Sequence, residues 1–438
     1  RALCIYESRY PPKEIPTISL TDFVLEHVDQ RGDRVAMLDG ETGRTLRFNE
    51  LRPMINACAA GLASECGFAQ GDVFAILLPN CPDYFVAYHA VASSGGIVTT
   101  FNPTYTATEI GSQLQDSRAK VVLTIGPLLG LVQEAIVLGG SSVQYILQLD
   151  GSVESLGPVP VKSFGEVMET GRGAPAPDVK IDPEDLAVLP YSSGTSGKSK
   201  GVQLTHRNLV ANLCQIDILK STPTDTVLGL LPFFHIYGMT VILNRAMLDG
   251  SRVVTMPKFD PSLFLKLMKE EAISLAYVAP PIINFLVKHP SVDSALPLPS
   301  LRRLFSGAAP LGRELAVAAK HRLGDHVHVI QGYGMTEMAP VSHYLLDDTP
   351  EELLGSVGRL CPNMKSKIVT PEGELCSVDQ PGELVLQGPN VMRGYLELPE
   401  ATAECLDDEG WLRTGDIAYV DAEGYYFVID RVKELIKC

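Results

Sequence analysis

Several absences narrow what this sequence can be. Lysine and arginine total 36 against 52 acidic residues, so the formal net charge is −16. A nucleic-acid surface needs clustered basic residues to neutralise phosphates, and this balance disfavours one. A local pocket on an acidic protein can still bind a small anion. The nine cysteines include no C-x-x-C pair, which argues against a disulfide framework and favours scattered thiols in a reducing compartment.

The sequence also lacks a convincing membrane-spanning segment. One stretch, 227–243, carries no charged residue. It contains Pro232 and His235, the polar pair Asn244 and Arg245 follows it, and it is shorter than the roughly 20 residues needed to span a bilayer. We therefore predict a buried strand, a turn and a core helix in this region.

Alternating strand and helix patterns predict an α/β protein. Short apolar runs at 72–78, 96–100 and 120–124 are separated by helical patterns at 82–93 and 106–117, which is typical of buried parallel strands with crossover helices. A chain of 438 residues exceeds one core. From 355 onward, short strands and turns indicate a small β-barrel. The predicted units are two α/β subdomains, 1–185 and 186–354, a barrel-like subdomain, 355–428, and a hinge, 429–438.

The most informative segment is the loop at 191–202, which reads YSSGTSGKSKGV. Glycines let backbone N–H groups approach an anion, hydroxyls donate hydrogen bonds, and lysines add positive charge. The loop is not a Walker A motif, because two residues rather than four separate Gly194 from Gly197-Lys198. Strand-like flanks at 186–190 and 202–204 predict a hairpin tip that binds a polyphosphate. A flexible surface turn is the alternative.

Further motifs follow this loop in order. They are PFFHIYG at 232–238, SGAAPLG at 306–312, QGYGMTE at 331–337, PGEL at 381–384, TGD at 414–416 and IDRVKELIKC at 429–438. Together they resemble the adenylate-forming superfamily, which includes acyl-CoA synthetases, 4-coumarate:CoA ligases, beetle luciferases and peptide-synthetase adenylation domains. The resemblance covers about Phe48 to Cys438 and is closest to 4-coumarate:CoA ligase-like enzymes. It implies a large N-terminal domain, with the family's small C-terminal domain absent from this sequence.

The resemblance implies a site for ATP and Mg²⁺. The residues that it assigns to the phosphates are Ser192, Ser193, Gly194, Thr195, Ser196 and Lys200. Those that it assigns to adenine and the adenylate cleft are Gly307, Ala308, Ala309, Gln331, Gly332 and Tyr333. Asp416 and Arg431 would bind the ribose, Thr336 would donate to a phosphate oxygen, and Glu337 would bind Mg²⁺, a hard cation suited to carboxylate. The alternatives are a plain turn at 332–334, an exposed helix start at 336–337 and a turn at Asp416.

The resemblance also implies sites for the acid and for CoA. His235 would orient the substrate carboxylate, although a histidine among apolar neighbours is more often a core residue. The residues that match the acyl pocket are Tyr237, Met239, Val241, Phe305, Ala308, Pro340 and Val341. Phe305 stands where plant 4-coumarate ligases often carry lysine. Lys258 would contact the CoA nucleotide, Lys433 would be the hinge, and Lys437 would reach the adenylate after the small domain rotates.

The implied function is an ATP-dependent carboxylic acid:CoA ligase for an aryl or medium-chain acid, in the cytoplasm or peroxisome, with small molecules rather than nucleic acid as partners. Without the small domain, we expect slow adenylation. A luciferase-like oxygenase and a non-catalytic nucleotide-binding protein remain alternatives. An amino-acid adenylation module is disfavoured, because no acidic residue that could bind an ammonium group occurs from 235 to 243.

Overall fold

The structure is a computed structural model and describes residues 5–153, 157–192 and 199–431. The strands of these residues are β1 Tyr6–Glu7, β2 Val35–Asp39, β3 Thr45–Arg47, β4 Val73–Ile76, β5 Ile97–Thr100, β6 Val121–Thr124, β7 Tyr145–Gln148, β8 Val161–Ser163, β9 Leu186–Leu189, β10 Tyr191–Ser192, β11 Lys200–Thr205, β12 Thr226–Gly229, β13 Arg252–Thr255, β14 Leu275–Val278, β15 Arg303–Ser306, β16 His328–Gly334, β17 Val341–Tyr344, β18 Arg359–Leu360, β19 Lys365–Val369, β20 Gly382–Gln387, β21 Gly394–Tyr395, β22 Leu412–Val420 and β23 Tyr426–Arg431.

The α-helices are α1 Leu20–Val24, α2 Phe48–Cys66, α3 Pro82–Ser93, α4 Ala107–Ser117, α5 Gly126–Gly139, α6 Phe164–Gly171, α7 His206–Gln215, α8 Arg245–Asp249, α9 Pro261–Glu270, α10 Pro280–Lys288, α11 Arg313–Leu323 and α12 Pro399–Cys405. A π-helix, Gly238–Asn244, runs directly into α8. Short 3-10 turns occur at Val28–Arg31, Asp217–Leu219, Pro290–Ser294, Thr336–Met338 and Glu351–Leu353.

Two large sheets form the body of the protein. The first has the order β10-β11-β9-β5-β4-β6-β7-β8, and β21 also pairs with β11. The second has the order β18-β17-β16-β15-β14-β12-β13-β2-β3. Neighbours from β9 to β8 in the first sheet and from β16 to β2 in the second are parallel. The prediction of α/β architecture with two such sheets is confirmed.

The third sheet is antiparallel, with the order β1-β19-β20-β22-β23. Where the sequence predicts a small β-barrel, the described part of the chain forms an open sheet with β1 and β23 at its edges. Strands remote in the sequence also enter the large sheets, because β2 and β3 join the second sheet and β9 to β11 join the first. The predicted division at 185/186 and 354/355 remains a prediction about domains.

Local sequence signals explain several elements. Proline occupies the first position of α3, where its missing N–H costs nothing. Thr106 and Glu109 cap α4 reciprocally, as their spacing predicts. The uncharged stretch 227–243 is a fully buried strand, a turn and a helix, as predicted. Among the residues that the structure describes, no helix is long and apolar enough to cross a membrane.

In each of the two large sheets, the order in which the strands are added reverses at one strand. In the first sheet β4 lies between β5 and β6, and in the second β12 lies between β13 and β14. The chain therefore builds each sheet outward in both directions from that strand. Ligands of open α/β sheets bind beyond the carboxyl ends of strands at such reversal points. The segments after β4 and β12 are accordingly the places where the fold favours a binding site.

Candidate active site

The predicted hairpin is present at its base, and its role in binding phosphates stays a prediction. Strands β10 and β11 form an antiparallel hairpin in which Ser192 faces Lys200. Ser193, Gly194, Thr195 and Ser196 lie outside the described residues. Ser192 and Lys200 thus lie opposite each other on the two strands of one hairpin. This pairing places a hydroxyl donor and an ammonium group at the same end of the hairpin.

Glu337 lies next to this hairpin. It is only 5% exposed and sits in the 3-10 turn Thr336–Met338, so the alternative of an exposed helix start is wrong. The Ser192 hydroxyl donates to Oε1 of Glu337 at 3.0 Å, and the Tyr395 hydroxyl donates to the same oxygen at 2.8 Å. Two neutral donors therefore orient this buried carboxylate, one of them from the hairpin itself.

Tyr395 was missed by the sequence analysis. It belongs to β21, which pairs with β11 so that Tyr395 faces Val202. The Lys200 ammonium lies 4.6 Å from the centre of its ring, within the range of a cation–π contact. No local pattern links residue 395 to the loop at 191–202, because only the long-range pairing of β21 brings them together.

The predicted nucleoside residues form a second connected group. The Tyr333 hydroxyl donates to Oδ2 of Asp416 at 2.5 Å, and Nε of Arg431 lies 3.6 Å from Oδ1. Burial raises the pKa of Asp416 above its ordinary value, while the Tyr333 hydrogen bond and the Arg431 charge oppose this rise. Both turn alternatives are wrong, because 332–334 lies in β16 and Asp416 lies in β22.

Gln331 holds the end of the loop at 307–311 through hydrogen bonds of its side-chain amide. Its amide accepts from the Leu311 N–H at 3.1 Å and donates to the carbonyls of Leu311 and Leu354 at 3.0 and 2.8 Å. Both amide protons are used, so the side chain cannot also donate to a nucleotide. Gly307 is required, since a Cβ there would lie 2.6 Å from the Tyr237 ring. Ala308 and Ala309 are exposed beyond it, and Gly332 lies beside Gln331 in β16.

The loop after β12 is held by the other sheet. Asn80, just beyond β4, donates to the carbonyls of Gly229 and Leu231 at 2.8 and 2.9 Å and accepts from the Phe233 N–H at 2.8 Å. The Thr100 hydroxyl donates a hydrogen bond of 2.7 Å to the Phe234 carbonyl. The reversal points of the two sheets are thereby joined. The sequence signal for Asn80 is its place directly after a predicted buried strand.

The hydrogen bonds of Asn80 and Thr100 form a clamp between the two sheets. This clamp holds the segment that carries His235. The His235 side chain is exposed to solvent, so the core alternative is wrong. The surrounding protein nevertheless desolvates the imidazole and lowers its pKa below 6.5. The Tyr237 N–H donates to Nδ1 at 3.3 Å, which assigns that nitrogen as the acceptor. The neutral ring then carries its proton on Nε2, which is left as a donor.

Five of the predicted acyl residues are buried and apolar, whereas Ala308 is exposed. Met239 and Val241 come from the π-helix, Phe305 from β15, and Pro340 and Val341 from the start of β17, and all are buried. A hydrogen bond of 3.1 Å from the Thr240 hydroxyl to the Ala339 carbonyl joins the π-helix to the Pro340 segment. The Tyr237 hydroxyl donates to the Phe305 carbonyl at 3.1 Å. Its proton is therefore engaged within the protein.

Some predicted residues are not brought to this region. Lys258 is exposed just after β13, and β13 lies four strands from β16 in the second sheet. With neighbouring strands roughly 4.8 Å apart, that separation is about 19 Å. Lys433 and Lys437 lie outside the described residues. A role for these three lysines remains a prediction.

Comparison with known proteins agrees with this geometry. The family model described as "AMP-binding enzyme" matches residues 24–396. The chain belongs to the AMP-binding enzyme family. This AMP-binding enzyme is 36% identical to a probable 4-coumarate–CoA ligase 1 of Dictyostelium discoideum, over 99% of this chain and 80% of the relative. It is also 36% identical to 4-coumarate–CoA ligase 1 of Solanum tuberosum, over 99% of this chain and 79% of the relative.

Solved structures give the same result for this AMP-binding enzyme. A long-chain-fatty-acid–CoA ligase of Archaeoglobus fulgidus superposes with a TM-score of 0.87 at 26% identity, over 98% of this chain and 88% of that one. ATP-bound MatB of Rhodopseudomonas palustris superposes with a TM-score of 0.83 at 26% identity, over 95% and 79%. The predicted superfamily and its N-terminal domain fold are confirmed.

Proposed function

We propose that this AMP-binding enzyme is an ATP-dependent carboxylic acid:CoA ligase. It forms an acyl-adenylate from an acid and ATP, and then passes the acyl group to the thiol of CoA. The observation that carries the proposal is one connected group of side chains in which Ser192 and Tyr395 both contact Glu337 and Tyr395 also contacts Lys200. Tyr333 in β16 and Asp416 in β22 form a second hydrogen-bonded pair. The relatives named as CoA ligases support the same activity.

The first half-reaction is the attack of a carboxylate oxygen on the α-phosphorus of ATP. A P–O bond forms, the bond to the β-phosphate breaks, and pyrophosphate leaves. Lys200 and the Ser192 hydroxyl are arranged to neutralise and bind the departing phosphates. The ionised form of Asp416 would accept hydrogen bonds from ribose hydroxyls, since its two oxygens offer about four acceptor sites and Tyr333 uses one of them.

Glu337 fits a site for Mg²⁺. Its carboxylate is buried, it is an oxygen ligand of the kind that Mg²⁺ prefers, and Ser192 and Tyr395 both donate to the same oxygen, Oε1. Magnesium, when bound with ATP, would neutralise phosphate charge. The contribution of the protein is to keep the Glu337 carboxylate oriented toward the hairpin.

His235 would orient the acid. Because Nδ1 accepts from the Tyr237 N–H, the Nε2–H of the neutral ring is the group left to donate to a carboxylate oxygen. The lowered pKa favours this neutral form at pH 7. Correct placement of a reacting oxygen contributes strongly to rate, since a misplacement of about 1 Å can cost roughly a hundredfold.

The acid that suits this site is apolar, either aryl in the manner of 4-coumarate or medium-chain. The π-helix, Gly238–Asn244, contributes no acidic residue, and the Tyr237 proton is engaged by Phe305. The hydroxyl oxygen of Tyr237 can still accept a hydrogen bond from a substrate. A free ammonium group would lack a carboxylate partner, which argues against an amino-acid adenylation module.

The test is an assay of the purified protein with ATP, Mg²⁺ and CoA against cinnamic, benzoic and medium-chain fatty acids. We expect acid-dependent AMP release and a thioester product with at least one class. Light emission with an adenylated luciferin in place of thioester would favour an oxygenase. Failure to bind ATP in calorimetry would contradict the proposal and favour a non-catalytic protein.

A further inference from the structure

The side chain of Tyr395 touches both opposite charges of the phosphate end. Its ring faces the Lys200 ammonium at 4.6 Å, while its hydroxyl donates to Glu337 Oε1 at 2.8 Å. An aromatic ring has a negative face that attracts a cation, and a phenol is a good donor to an anion. The two halves of this residue therefore serve two different ionic groups.

The backbone around Tyr395 is held in place on two sides. Strand β21 pairs with β11, and the Leu396 N–H donates to the Gly201 carbonyl at 2.8 Å. The Tyr395 N–H donates to the Thr402 hydroxyl at 2.9 Å. The neighbouring Met392 N–H donates to the Glu337 carbonyl at 2.8 Å. Tyr395 is thus anchored to the hairpin strand and to the turn that carries the carboxylate.

We propose that Tyr395 is a positioning residue that keeps the Lys200 ammonium and the Glu337 carboxylate in place for Mg·ATP. This inference rests on the proposed function. An ammonium and a carboxylate left without intervening groups attract one another, and a direct pair would occupy the charges that a phosphate and a metal ion require. The Tyr395 ring gives the lysine another partner, and the hydroxyl gives the carboxylate another.

The two contacts predict separable effects. Tyr395→Phe removes the hydroxyl and retains the ring, so the orientation of Glu337 changes while the lysine keeps its partner. Groups that orient a metal ligand typically alter metal affinity by about 10- to 100-fold. We expect the Mg²⁺ concentration for half-maximal ATP binding to rise by about tenfold, with ATP affinity at saturating Mg²⁺ changed less than about threefold.

Tyr395→Leu removes ring and hydroxyl together. We expect the same shift in Mg²⁺ dependence and, in addition, a loss of ATP affinity at saturating Mg²⁺ of roughly two- to thirtyfold, the range of a cation–π contact. Tyr395→Trp restores a ring without a phenol hydroxyl. It should recover much of the ATP affinity lost in Tyr395→Leu and keep the shifted Mg²⁺ dependence.

A matched control exists elsewhere in the chain. The Lys162 ammonium lies 5.1 Å from the ring centre of Tyr145, in β7 near the edge of the first sheet. Tyr145→Phe and Tyr145→Leu remove the same groups from a similar contact outside the candidate site. Neither should change the Mg²⁺ dependence or the affinity of ATP binding.

The experiment is a calorimetric titration of ATP into each protein at limiting and saturating Mg²⁺, with circular dichroism to verify folding. Equal binding by Tyr395→Phe and the unaltered protein at every Mg²⁺ concentration would overturn the inference, as would a loss in Tyr395→Phe that is independent of Mg²⁺. The Phe variant alone keeps the test decisive if the Leu variant does not fold. Absence of ATP binding by the unaltered protein would instead contradict the proposed function.

Discussion

The phosphate end and the acyl end of the candidate site are built in different ways. At the phosphate end, Ser192, Lys200 and Tyr395 are partly exposed, and each contact there is polar or ionic. At the acyl end, Met239 and Phe305 are 0% and 3% exposed and belong to the main hydrophobic core. One end is a set of charges whose partners must change when a ligand arrives. The other is a packed wall.

This difference indicates where specificity and rate arise. Charges placed before the reaction stabilise the developing charge of the transition state, so changes at the phosphate end should alter rate strongly and almost equally for all acids. A packed apolar wall discriminates by volume, so changes at the acyl end should alter the ranking of acids.

The largest effect is expected at the phosphate end. Glu337→Gln and Lys200→Ala should each lower adenylate formation by about 100- to 1,000-fold, the cost of removing one preorganised charge-stabilising group. Pyrophosphate exchange across several acids measures this. Lys266→Ala, which removes an exposed lysine from α9, is the control and should have no effect. A loss confined to one acid would contradict the view that the phosphate end affects all acids equally.

The next effect concerns the clamp between the sheets. Asn80→Ala removes three hydrogen bonds from the loop that carries His235 and leaves the buried Phe233 N–H without this acceptor. We expect adenylate formation to fall by about 10- to 100-fold and the free energy of unfolding to fall by about 2–4 kcal/mol, with ATP affinity unchanged. Pyrophosphate exchange, urea denaturation and calorimetry measure the three quantities.

Asn363→Gly provides the comparison for Asn80. Asn363 bonds the backbone of Lys13 through both amide atoms and has a positive φ that glycine accepts. Asn363→Gly should lower the free energy of unfolding. The rate of adenylate formation per molecule of ATP-bound protein should stay unchanged. If both variants lose activity in proportion to stability, Asn80 has no positioning role.

A smaller effect is expected at the acyl end. Phe305→Leu enlarges the space beside Tyr237, so the preference between two acids that differ by one methylene should shift by about tenfold toward the longer acid. The ratio of kcat/KM for the two acids is the measurement. An equal fall for every acid would show that Phe305 acts on rate and not on selection.

The smallest effect per residue is a dependence of stability on pH. Burial lowers the pKa of His343, beside Tyr333, and of His89, beside Tyr88, to about 3 each. The folded state therefore keeps both rings neutral, while the unfolded chain binds protons below its pKa of about 6.5. The stabilisation is complete above pH 6.5 and is lost as the pH falls from there toward 3.

Each of these histidines should lower the free energy of unfolding by about 1.4 kcal/mol per pH unit once the pH is below 6.5. Urea denaturation between pH 7 and pH 5 measures this slope. His343→Gln should remove the contribution of one proton, about 1.4 kcal/mol per pH unit, from this slope. An unchanged slope in His343→Gln would contradict the assignment.

Local signals in the sequence predict much of this fold. Pro82 begins α3, and the Thr106–Glu109 box begins α4 at the predicted residue. The hairpin base at Ser192 and Lys200 is predicted by its flanking strands. Such features depend on neighbours in the sequence, and sequence patterns report neighbours well.

Features that depend on distant partners could not be predicted in this way. The glycines of 332–334 leave a plain turn open as an alternative. A Cβ at Gly334 would lie 2.0 Å from the Pro340 carbonyl oxygen, so close strand packing is what requires glycine there. Asn80 and Tyr395 owe their positions to sheet pairings across the chain. The π-helix likewise has no pattern that separates it from an α-helix.

Synthesis on the ribosome separates β1 and β2 from their partners in time. Tyr6 in β1 pairs with Ser366, and Met37 in β2 pairs with Val253. At about 5–20 residues per second, a nascent chain waits on the order of tens of seconds before these partners emerge. During that interval the strand Val35–Asp39 can pair with β3 but has no β13 to join. Until β13 is made, the unpaired edge of this early hairpin is open to association with other chains.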